Sequence, residues 1–121
     1  MTAVKFAKLL DKISENTDLG AIHWQLDEFG DPYFELNGRK VFVEESVNEE
    51  IVPVMVVRIL NTAGQLVEKF TDDDLRNREP PAGMSFFDYM KELQQKAIRQ
   101  ATGADKAVDE LISDLDGLVP F

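Results

Sequence analysis

A chain of 121 residues fits one domain, expected to span 1–121, and is long enough to bury a single core without staples. Twenty-three acidic against 13 basic residues leave a formal charge of −10, which disfavours bare attachment to phosphate backbones, and the lack of cysteine excludes disulfides, thiolate metal sites and thiol catalysis. Met1–Lys5 lacks the basic start of a secretory signal, and the longest strongly apolar run, Ile51–Val57, falls far short of the ~20 residues that span a bilayer, so a soluble, cytoplasmic protein is expected.

Thr2–Glu15 reads as an amphipathic helix with Phe6, Leu9, Leu10 and Ile13 on one face; Lys5, Lys8, Asp11, Lys12 and Glu15 fall on the other. Asn16 and Gly20 suit its end and the following turn. Ala21–Leu26 alternates Ile22, Trp24 and Leu26 against His23 and Gln25, the signature of a half-buried strand, and Asp27–Pro32 reads as a loop. Tyr33–Leu36, Asn37-Gly38 and Arg39–Val43 predict a hairpin on a type I′ turn. That turn opposes Leu36 to Arg39, Glu35 to Lys40, Phe34 to Val41 and Tyr33 to Phe42.

Glu44–Glu50 reads as an acidic loop. Val52–Leu60 is apolar on both faces, as a central strand would be, with Pro53 at an edge or bulge. Asn61–Gly64 turns the chain into a further strand, Gln65–Phe70, and Thr71–Asp74 resembles a capping box. Arg76–Gly83 is a connecting loop. Ser85 and Asp88 have the spacing that starts a helix, which runs to about Thr102 and closes at Gly103. A last helix, capped by Asp105, runs to about Leu115 with Val108, Leu111, Ile112 and Leu115 on one face. Gly117 ends it, and Leu118–Phe121 forms an apolar tail. The expected fold is α+β: an N-terminal helix, a four-stranded antiparallel β-meander, then two C-terminal helices packed on one sheet face.

Few features suggest chemistry. His23 is the only histidine, and no motif supplies a nucleophile or an orienting carboxylate beside it. Asp72-Asp73-Asp74 lacks the spacing of a calcium loop, and Glu44, Glu45, Glu49 and Glu50 do no better. Arg76 and Arg78 stand isolated among acids. There is no phosphate loop, serine elbow or zinc spacing. No catalytic residue, metal or cofactor is therefore nominated.

Two surfaces suggest contact with another protein. The last helix places Asp105, Asp109, Glu110, Asp114 and Asp116 over about half its circumference, opposite its apolar stripe, which makes an acidic docking surface for a basic partner. The bland reading is a solvated face. The second sheet face, with Tyr33, Phe42, Val54 and Val56, would form an apolar patch through which a homodimer is expected, unless the first helix or the C-terminal tail covers it.

Phe86–Leu115 (FFDYMKELQQKAIRQATGADKAVDELISDL) resembles the C-terminal segment of a family of small uncharacterised bacterial and phage α+β proteins, in which a helix with Glu-Leu near its middle leads through a Gly-x-Asp turn into an acidic Ala/Leu-rich helix. The resemblance covers about a quarter of the chain, implies a bacterial or phage origin and carries no activity or site residue.

The leading expectation is a non-enzymatic protein acting by protein–protein contact, with an inhibitor or immunity-type factor against a basic nucleic-acid-binding protein as its narrower version. The alternative is a small-ligand module with a pocket between sheet and helices lined by Trp24, Phe34, Phe86 and Met90. An enzyme comes third. Direct contact with nucleic acid or membrane is not expected.

Overall fold

The hairpin around Asn37-Gly38 forms in the expected register, with Tyr33 opposite Phe42, Phe34 opposite Val41, Glu35 opposite Lys40 and Leu36 opposite Arg39. Both turn residues take positive φ, 53° and 81°, as a type I′ turn requires. Gly38 is needed twice over, because a Cβ there would stand 2.8 Å from the Thr62 methyl group. In this computed structural model, which describes residues 2–81 and 83–118, the hairpin is the middle of a larger sheet.

That sheet has five antiparallel strands in sequence order: β1 (Gln25–Leu26), β2 (Pro32–Leu36), β3 (Arg39–Val47), β4 (Pro53–Leu60) and β5 (Leu66–Thr71). The four-stranded meander is thereby corrected to five. Of the alternating run Ala21–Leu26, only Gln25 and Leu26 join the ladder, opposite Tyr33 and Pro32. The Trp24 indole N–H instead donates to the Thr17 hydroxyl at 3.1 Å, so residues 21–24 follow the end of the first helix.

The acidic loop is also corrected. Glu44 to Val47 extend β3 and pair with Val56 to Pro53, leaving a short turn in which the Asn48 side chain accepts from the N–H groups of Glu50 and Val52. Charge made this stretch look like loop, but Arg58 donates to Glu44 at 2.6 Å and holds that carboxylate on the ladder. β4 lies between β3 and β5 with Val54 to Val57 all buried, as its two-faced apolar pattern requires.

Two helices cover one face of the sheet. In α1 (Thr2–Asp18), Leu10 and Ile13 are buried and Phe6 stacks on Phe70 at 4.2 Å. In α2 (Phe86–Thr102), Phe86, Met90, Leu93 and Ala97 join Phe34, Val41, Val43, Met55, Val57 and Phe70 in one core. The ends of α2 fall where the Ser85–Asp88 spacing and Gly103 predict. Ser85 Oγ accepts from the Asp88 N–H, and Gly103 closes the helix at φ 67°. The helices are also tied directly, because Gln100 Nε2 donates to the Thr17 carbonyl at 2.9 Å.

The final helix, α3 (Ala104–Asp116), does not pack on the sheet and buries no residue, which corrects the expectation of two C-terminal helices on the sheet face. Its N-cap is Gly103, not Asp105. The left-handed glycine turns the chain away from α2 before the stripe begins, so the stripe leaves the core behind. No helix among the described residues is long and apolar enough to cross a membrane. Of the C-terminal tail, Leu118 is exposed and 119–121 lie outside the described residues.

Candidate functional site

α3 has the makings of a core-facing helix. Val108, Leu111, Ile112 and Leu115 recur at i, i+3, i+4 and i+7, which aligns them along one face. All four are open to solvent, with relative exposures of 49%, 59%, 54% and 59%. Isolated exposed apolar side chains are ordinary on a protein surface, whereas these four lie together along one helix face.

Charge frames the stripe. At about 100° per residue, Asp105, Asp109 and Asp116 fall along one edge and Asp114 along the other, while Glu110 lies on the back of the helix. Lys106, the only base in α3, lies behind and reaches Glu110 at 3.9 Å. The Arg99 guanidinium of α2 binds the Asp105 carboxylate and braces the corner at Gly103. Among the described residues, Asp109, Asp114 and Asp116 make no ion pair. The acids expected on this helix, Asp105, Asp109, Glu110 and Asp114, are therefore all exposed together, beside exposed apolar groups instead of behind buried ones.

The second candidate surface is different. Tyr33, Phe42, Val54 and Val56 do share the sheet face away from the helices, but Phe42, Val54 and Val56 are buried and Tyr33 is half-buried. Tyr33 stacks on Phe42 at 5.0 Å, and the Arg58 guanidinium lies 4.5 Å from the Phe42 ring centre, held there by Glu44. Lys40 stands 5.5 Å from the centre of the Tyr33 ring. This face presents charged groups over its aromatics. Beside it, burial and then the negative charges of Asp27 and Glu44 push the Asp31 carboxyl up from its ordinary value.

The Asp triplet serves the backbone. Asp72 Oδ1 accepts from the Met55 N–H and Asp74 Oδ2 from the Thr71 N–H, both at 2.8 Å, starting a 3₁₀ turn over Asp72–Leu75. Burial pushes the Asp72 carboxyl upward, against the lowering effect of the Met55 hydrogen bond. His23 is exposed beside buried Trp24. Among the described residues no group of three or more His, Asp or Glu side chains is placed to hold a metal ion.

Trp24, Phe34, Phe86 and Met90, expected to line a pocket, all belong to the packed core, with Trp24 edge-on to Phe34 at 5.0 Å. The surface depressions lie at the margins. One of about 260 Å³ runs between Leu9, Phe34, Leu36, Arg39 and Ile59. Another of similar size, missed from the sequence, gathers Arg76 and Arg78 with Asp72, Asp73 and Phe86 near the start of α2. Only the fold brings those two arginines to the α2 terminus. The β3–β4 turn was missed as well. Ile51 sits there at φ 60°, uncommon for a β-branched residue, with its side chain in solvent.

Comparison with protein-family models, curated proteins and solved structures found no match.

Proposed function

We propose that this chain is a non-enzymatic binding protein that works by protein–protein contact in the cytoplasm, with α3 as its docking element. One observation carries the reading: a helix patterned to bury four apolar side chains buries none of them. Fully burying a Leu, Ile or Val side chain is worth roughly 1.5–3 kcal/mol, so seating four half-exposed ones yields several kcal/mol before the costs of association. The spacing i, i+3, i+4, i+7 is also that of helices recognised through one face. An inhibitor or immunity-type role, in which the acids of α3 occupy the basic surface of a nucleic-acid-binding protein, is the narrower form of this proposal.

The test is affinity capture from lysate with the wild-type chain and with Leu111→Asp/Ile112→Asp, after circular dichroism has shown both to be folded. A stoichiometric partner retained by the wild type and lost by the variant is the expected result. Equal capture by both would remove α3 from the mechanism, and capture by neither would remove the binding role.

A further inference from the structure

We infer that the occupant of the α3 stripe is a cationic amphipathic helix of a different protein, one that carries Lys or Arg along both edges of its own apolar stripe. This rests on α3 being the docking element and adds the chemistry of what docks there.

Three observations converge. The first is length. Thirteen residues at about 1.5 Å each make a rod of roughly 20 Å, presenting two turns of anchors from Val108 to Leu115, so a single helix of a few turns matches the stripe end to end. The second is the charge at the edges. Asp105, Asp109 and Asp116 line one side of the stripe and Asp114 stands on the other, while the one base faces away beside Glu110. A helix laid along the stripe brings its own edge residues against these acids, where opposite charges attract and like charges repel. The third concerns a second copy. Two α3 helices face to face would set acids against acids on both edges, each α3 bringing five acids and one lysine and each chain −10 overall. That is an electrostatic pattern against self-pairing. A membrane surface is disfavoured on the same ground, because helices that lie on anionic lipid carry their bases beside the apolar face.

The attraction comes from exposed groups and is therefore screened by salt, while the apolar contribution persists. The experiment is a fluorescence-anisotropy titration of the full chain against a labelled synthetic four-turn helix with a leucine stripe edged by lysine, and against the same helix edged by glutamate. The expected result is binding of the lysine helix at least roughly tenfold tighter than the glutamate helix, weakened by added salt. Asp109→Lys/Asp114→Lys, which reverses one acid on each edge, should lower affinity for the lysine helix by a similar factor and raise it for the glutamate helix. Leu111→Asp/Ile112→Asp should abolish both, with circular dichroism reporting all variants folded. Equal affinity for the two helices, or indifference to Asp109→Lys/Asp114→Lys, would overturn the cationic partner and leave α3 as a docking element. Indifference to Leu111→Asp/Ile112→Asp would overturn both. A wild-type dimer in sedimentation that Leu111→Asp/Ile112→Asp dissolves would assign the stripe to a second copy, and uptake onto phosphatidylcholine vesicles abolished by the same variant would assign it to lipid; either overturns the inference.

Discussion

α2 and α3 follow one another with only Gly103 between them, and each carries an apolar stripe of comparable chemistry. α2 is held three ways: its stripe lies in the core, its Gln100 donates to the Thr17 carbonyl, and its Lys91 and Lys96 pair with Glu45 and Asp18. α3 has the Arg99–Asp105 pair at its root and buries none of its residues. The contrast teaches that amphipathicity states what a helix needs from its surroundings, not that its own chain will provide it. Whether the need is met is decided at the junction, where a left-handed glycine redirects the axis.

The largest expected difference between the two helices is in the core. Met90→Ala should lower unfolding free energy by about 2–5 kcal/mol in urea titrations, because Met90 is fully enclosed and its removal leaves a cavity. A loss below about 1 kcal/mol would mean that α2 is held less tightly than its burial implies. Next comes the polar anchor where α1 meets the core. Thr17→Val leaves the Trp24 N–H enclosed without its acceptor and should cost about 1–3 kcal/mol, read from the same titrations.

The ion pairs on the polar face of α2 are worth less and depend on pH. The hydrogen bond from Lys96 to Asp18 raises the lysine above its ordinary value. The stability this contributes is therefore complete below the unfolded lysine value and is lost as pH rises through the folded one. Lys96→Met should cost about 0.2–1 kcal/mol at neutral pH, the range for exposed pairs, and the gap between the two melting curves should close in strong alkali. A gap unchanged by alkali would show that the pair is not its source. The smallest effect is expected in α3. Leu111→Ala should leave global stability within about 0.5 kcal/mol, since a side chain already in solvent has little burial to lose. A core-sized loss would show that the stripe is packed against something in the free protein and would end the comparison.

Legibility followed the range of the interactions involved. The hairpin register was readable because Asn37-Gly38 admits one tight turn and every pairing then follows by counting. The limits of α2 were readable because Ser85 and Gly103 act within one helical turn. The extension of β3 was not, because Glu44 belongs to the ladder through Arg58, fourteen residues away, and a sequence read locally shows only charge. Trp24 left the alternating pattern for a hydroxyl at the end of α1, another distant partner. At the candidate site the acids were readable by type and spacing. The stripe beside them looked like an inward face, because its periodicity matches that of α2 and nothing in periodicity records direction. The Tyr33–Phe42 pair was readable from the hairpin, whereas the guanidinium over it required the β3–β4 register.

Trp24 is the chain's single tryptophan, and its indole is enclosed in a core to which α3 contributes no residue. Excited where tyrosine does not absorb, the molecule emits from one place. A blue-shifted band reports that the core is shut against water, and its move to the red reports the loss of that seal. A ligand without tryptophan that settles on α3 leaves the band where it was. The protein thus carries a built-in optical reporter that is sensitive to unfolding and blind to docking, so the two events can be followed in one cuvette without a label.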